Sequence, residues 1–173
     1  MPRFLGLINC DQTDPYYGCT DRQFWAWKLI DFPNSTNQAS VYGLSLLREN
    51  QLLPKEVSSE ACLELILAMI KVVPKLSDRR NGLAEALPYE GSFCVTALVL
   101  SNILATLTVI ERELSIDEKE EVLDIAEEIY KYCLDQKEQE SKINFDNHEM
   151  PQGSSGDNDG EDGEQEQEYT SGG

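Results

Sequence analysis

The chain has 173 residues, with 32 acidic against 14 basic side chains and a net charge of −18. That length suffices for one domain with a real core, and the charge argues against nucleic acid or an anionic membrane as a partner. The imbalance is uneven: residues 138–173 hold 11 acids and one Lys, net −10, which leaves −8 on residues 1–137.

The N-terminus, "MPRFLGLINCDQ", has too short an apolar run for a signal peptide. A reducing, cytoplasmic setting is therefore the expectation. Residues 14–34, "DPYYGCTDRQFWAWKLIDFPN", gather two Trp, two Phe, two Tyr and three Asp. Asp14-Pro15 opens a turn that Tyr16, Tyr17 and Gly18 continue. Helical spacing then sets Phe24, Trp27 and Lys28 on one face and Arg22, Trp25 and Leu29 on another. We treat residues 1–34 as an aromatic N-terminal arm.

Regular patterns follow. Ala39, Tyr42, Gly43, Leu46 and Leu47 predict a helix over about 35–50. "NQLLPK" interrupts it, with Pro54 suited to a turn or a first helical position. Leu63, Ile66, Leu67 and Ile70 predict a second helix over about 57–73, which Pro74 ends or kinks. Asn81-Gly82 marks a connection. A third helix opens near Gly91 and reaches about Glu113. A fourth follows, opened by Ser115 with Glu118 in a capping box. Its apolar face is Val122, Ala126, Ile129 and Cys133; Glu120, Glu121, Glu127, Glu128 and Lys131 belong on the solvent side.

The expected fold class is all-α: two antiparallel helical hairpins, about 35–76 and 91–136, within a domain at 35–138. A faint repeat pairs "PNSTNQASVYGLSLL" with "PYEGSFCVTALVLSNIL", where Ser35 and Ser92 correspond. Residues 139–173 are rich in Gly, Asp, Glu, Gln and Ser, which cannot bury enough surface to offset chain entropy, so they form a disordered acidic tail.

Residues 92–110, "SFCVTALVLSNILATLTVI", carry no charge. That length just crosses a bilayer core. The preferred reading is an inner helix enclosed by its neighbours. Asn102 would sit at mid-membrane, and Glu90 and Glu111-Arg112-Glu113 flank the run with no basic cluster to orient it.

Five cysteines occur, at 10, 19, 62, 94 and 133, without CxxC spacing. Cys62, Cys94 and Cys133 fall in apolar helical patterns and are expected to be buried thiols. A Cys10–Cys19 disulfide is disfavoured in a reducing compartment. No phosphate loop, dinucleotide fingerprint, zinc spacing or Ser-His arrangement is present, so no cofactor and no metal is expected. Asp157, Asp159, Asp162 and Glu164 lack the ligand order of a calcium loop. His148, at the edge of the tail, is given no role.

"YGCTDRQFWAWKLIDFPNSTNQ" and the later "PYEGSFCVTAL" together resemble the N-terminal part of bacterial α/α-toroid proteins. These share their fold with prenyltransferase and terpenoid-cyclase repeats and with polysaccharide-active enzymes. The resemblance covers roughly residues 7–135. It implies inner helices lining a cavity, rimmed by Asp21, Arg22, Trp25, Lys28, Asp31, Tyr89, Glu90 and Ser92. A toroid closes with about five to seven hairpins, whereas this chain has two. The resemblance thus implies either a truncated, open toroid segment or one whose ring a partner completes, and open apolar faces favour association.

Each candidate also has a structural reading. An Asp21–Arg22 pair more often anchors an arm than binds a ligand. Trp25 and Trp27 more often pack than stack on a sugar. Glu90, at a helix start, serves as a cap. No second carboxylate is paired with it, as glycoside chemistry requires. The function read from the sequence is a non-catalytic helical module that associates with a protein partner or with itself. The alternative is an enzyme, or a fragment of one, acting on a glycan or isoprenoid-like ligand in a toroid cavity.

Overall fold

The computed structural model describes residues 2–148 except 79, 81, 88 and 89, with side chains from 3 to 137. The described chain is helical, without a named strand. Two short α-helical turns, α1 (Pro2–Leu5) and α2 (Arg22–Trp25), lie in the leader. A 3₁₀ turn (Thr36–Ser40) runs into α3 (Val41–Glu49), followed by α4 (Ser59–Lys71) and the single turn α5 (Val73–Leu76). The last two helices are α6 (Phe93–Ile110) and α7 (Ile116–His148). Isolated bridges Ser77–Leu83 and Ala84–Gly91 stitch the loop between α5 and α6.

The helix boundaries follow local chemistry. Ser58 caps α4 by accepting from Ala61 N at 3.1 Å. Pro74 has no N–H to continue α4, so the chain kinks at Val72 into α5. Ser92 caps α6 through Val95 N at 3.3 Å. The predicted capping box at α7 is present: Ser115 N donates to Glu118 Oε2 at 2.9 Å, and Glu118 N donates to Ser115 Oγ at 3.3 Å.

α3 packs against α4, and α6 packs against α7; α3 also lies along α6, and α4 along α7. The core combines Leu44 of α3, Ile66, Met69 and Ile70 of α4, Val99, Ile103 and Ile110 of α6, and Val122 and Ile129 of α7. Burying each such side chain contributes about 1.5–3 kcal/mol, more than any single cap at about 1 kcal/mol. Packing therefore sets the arrangement, and the caps trim its ends. The connection from α6 to α7 is held by a bidentate ion pair. Arg48 donates through both terminal nitrogens to Glu113 at 2.6 Å, and its Nε donates to Ser59 O at 2.8 Å. At the other end of this pair of helices, Tyr132 donates to Gly91 O.

Several expectations are corrected. The first predicted helix opens as a 3₁₀ turn, and α3 proper begins only at Val41. α2 stops at Trp25, and Lys28 takes a left-handed φ of 53°, so Trp27 and Lys28 share no helical face with Phe24. Cys94 is exposed rather than buried, and Cys133 is half-buried, because both sit at the outer edge of their helices. All five thiols are free. Glu90 is not the cap of α6; Ser92, two residues later, fills that position. α7 runs through His148, past the predicted boundary near Gln139. The remainder of the predicted tail, 149–173, lies outside the described residues.

α6 is long and apolar enough to cross a membrane by length and composition, with 44% of it buried. Val95, Val99, Ile103, Thr106 and Ile110 face the protein, while Phe93, Cys94, Leu98, Ser101, Leu104 and Thr108 are exposed. The helix is thus covered on the side of α3 and α7 and open on another, not enclosed all round.

Candidate functional site

The leader is the first candidate, since it carries five of the eight predicted rim residues. It is fastened down at several points. Gly18, at φ +90°, rests against the backbone of Ala68 and Met69 in α4. Asn9 N donates to Cys19 O at 2.8 Å and Gly18 N donates to Asn9 O at 2.9 Å, closing the segment on itself. The Gln38 amide then ties three parts of the chain together. Its Oε1 accepts from Thr20 N and Thr20 Oγ1 at 3.2 and 2.9 Å. Its Nε2 donates to Gly18 O at 3.0 Å and to Met69 O at 2.6 Å. Met69 lies in the last turn of α4, where carbonyls lack helical partners, so a buried side-chain amide is well matched to it.

This anchoring occupies most of the predicted site. Asp21 is buried; its Oδ1 accepts from Gln23 N at 3.0 Å and its Oδ2 from Asn34 N at 2.7 Å. It caps α2 and pins the far end of the leader. Arg22 donates to Gly6 O at 2.9 Å and stands over the Trp27 ring, 5.5 Å from its centroid. Trp25 Nε1 donates to Leu7 O at 3.0 Å. Lys28 lies over the Phe24 ring at 5.9 Å. Ser92 donates to Glu85 Oε2 at 3.0 Å besides capping α6. Glu90 is exposed, and Tyr89 lies outside the described residues. Asp21, Arg22, Trp25 and Ser92 thus direct their polar atoms to the protein's own backbone and side chains.

Asp31 is placed differently. It lines a cleft of about 520 Å³ between the leader and the α5 loop, with Tyr16, Phe24, Phe32, Lys75 and Asp78. Tyr16 and Phe24 meet edge to face at 4.8 Å. Asp78 accepts from Arg80 N and Gly82 N at 2.8 and 3.0 Å, so part of its carboxylate is occupied. Aromatic faces beside carboxylates suit a polar ring or a cationic group. Sequence reasoning missed Asp78 and Phe32, because only folding brings the α5 loop against the leader.

The second candidate is apolar. Between α6 and α7, Leu100, Leu104, Leu123, Ala126, Glu127 and Tyr130 line a groove of about 380 Å³. Leu98, Leu104, Leu123, Tyr130 and Leu134 are all more than two-fifths exposed. A soluble domain rarely leaves such a run of large side chains uncovered unless something docks there. Leu123 and Tyr130 fall at i and i+7 on α7, a signal legible in the sequence but overshadowed by the more strongly apolar Val122–Ile129 face.

The chain matches no protein-family model, no curated protein and no solved structure.

Proposed function

We propose that this chain is a non-catalytic interaction module built from two antiparallel helical hairpins, a partial α/α-toroid closed at one end by its aromatic arm. A protein partner or a second copy covers its open side. The observation that carries this reading is the exposed, largely uncharged α6/α7 face, with Leu98, Leu104, Leu123 and Tyr130 in solvent. The order of packing supports it. α3 lies beside α6 and α4 beside α7, so α6 and α7 form the last layer of a stack. A further layer would bury the same face. The cytoplasm is the proposed location, where free thiols such as buried Cys19 and Cys62 persist. Multi-angle light scattering across a concentration series, paired with affinity capture, tests the reading. A mass that stays monomeric at every concentration, with no captured partner, removes it.

The second reading places a glycan in the leader cleft, favoured there by Tyr16, Phe24 and Phe32 beside Asp31 and Asp78. Sugar rings stack on such faces while carboxylates accept from their hydroxyls. Calorimetric titration with neutral oligosaccharides tests it. Heat that vanishes in Asp31→Asn and Phe32→Ala supports the reading; no heat with the intact chain ends it.

A further inference from the structure

We propose that the occupant of the α6/α7 groove is an amphipathic helix with basic flanks, supplied by another protein. This rests on the interaction-module reading and gives the partner's chemistry. The floor of the groove is Leu100, Leu104, Leu123, Ala126 and Tyr130. α6 contributes no charge anywhere from Phe93 to Ile110. On the α7 side, exposed Glu120, Asp124 and Glu127 rise along one edge; Lys131 is paired to Glu127 at 2.8 Å, and Lys119, one turn before Leu123, is paired to Glu111 at 3.2 Å.

Shape and charge select the occupant together. An apolar trough between two helices accepts a third helix through side chains at i, i+3, i+4 and i+7. The exposed strip from Phe93 to Leu104 extends roughly 16 Å along the axis at about 1.5 Å per residue, so three turns cover it. The acidic edge rewards Lys or Arg on the flank of that helix. A second copy brings the same acidic edge, on a chain of net charge −18, so like charges face one another around a twofold contact. The acidic tail segment 149–173 carries the wrong sign for the same reason.

The test uses a fluorescein-labelled synthetic helix of about five turns, with Leu at helical spacing and Lys on both flanks. Its counterpart has Glu on the flanks. Both are titrated into the full chain by anisotropy. The expected result is saturable binding of the Lys-flanked peptide, weakened about tenfold by Leu104→Gln and by Leu123→Gln, with no binding of the Glu-flanked peptide. Both substituted positions are partly exposed, and circular dichroism verifies that the variants fold. Binding that survives both substitutions reports general attraction to an acidic surface and overturns the proposal. Self-association abolished by the same substitutions, without peptide binding, names a second copy instead and leaves the module reading standing. Flotation of the chain with phosphatidylcholine vesicles, lost in Leu104→Gln, names a bilayer and overturns it. A strict monomer that binds neither peptide overturns the proposal, and the reading beneath it falls only if affinity capture also returns no partner.

Discussion

Gly18 sits against Ala68 so closely that a Cβ on Gly18 would come within 2.4 Å of both the carbonyl carbon and the oxygen of Ala68. Leader backbone and helix backbone are in direct contact there, and neither can yield as a flexible side chain does. The φ of +90° adds strain for any L side chain. Gly18→Ala is therefore expected to destabilise the protein by about 3 kcal/mol or more. Urea unfolding followed by tryptophan fluorescence checks this, and a midpoint close to that of the parent chain would contradict it.

Gln38 is nearly inaccessible, yet both ends of its amide are fully used. Gln38→Met keeps its approximate shape and removes all four bonds. Thr20, Gly18 and Met69 then keep buried polar atoms without partners, an expected loss of about 3 kcal/mol. Amide exchange offers a more specific reading. The Thr20 N–H, which donates to Gln38 Oε1, is expected to lose protection more than amides in α6.

Arg48 holds the Glu113 carboxyl below the ordinary glutamate range, chiefly through their hydrogen bonds. A depressed folded pKa stabilises the protein above the unfolded value, about 4.3, and that contribution is lost as pH falls through the folded value. Glu113 is 42% exposed, so solvent screening limits the effect to about 1 kcal/mol or less. Glu113→Gln is expected to flatten the acid limb of stability against pH below about 4.3 and to lower stability slightly at neutrality. Denaturant melts from neutral to acid pH check the slope; an unchanged acid limb counts against the assignment.

The thiols provide a chemical map of the fold. Burial pushes Cys19 and Cys62 up to about 11, so neither is expected to react with a thiol reagent at mildly alkaline pH. Cys10 and Cys94 are exposed and are expected to label first, with half-buried Cys133 slower. Peptide mapping after timed alkylation reads the order. Early labelling of Cys62 would mean that α4 is not packed as described.

Tyr132 donates to Gly91 O and is flanked closely by Gly82 and Gly91, where added Cβ atoms would lie 2.6 and 2.5 Å from its side chain. Burial raises its phenol above the ordinary range. The hydrogen bond is present below the unfolded pKa of about 10 and is lost as pH rises through the folded one. Tyr132→Phe is expected to cost about 1 kcal/mol at neutral pH and to lessen the loss of stability in alkali. A thermal melt series at neutral and alkaline pH checks both.

Local signals were read well. The Ser115–Glu118 box, the break at Pro74 and the buried Val122–Ile129 face depend on spacing within one or two turns, and the structure carries all three. In the leader, the toroid resemblance implied a ligand rim, whereas the residues themselves favoured anchoring and packing; Arg22 and Trp25 donate to Gly6 and Leu7, residues of the same arm. Gln38, the residue that fastens the arm, stood in a polar stretch with nothing to mark it. Its partners lie 18 to 31 residues away in sequence, beyond the reach of any helical or turn pattern.

The sequence alone determined the break at Pro74 and the start of α7 at the Ser115–Glu118 box, because caps and prolines act over distances shorter than a helix; the start of α3 at Val41 and the run of α7 to His148 were not legible in it. It also determined the acidity and the uncharged character of α6. Only the tertiary structure decided which apolar faces are covered, because burial depends on neighbours distant in the chain. Val99 and Leu104 belong to the same uncharged run, but packing buries one and leaves the other in water. That difference creates the groove.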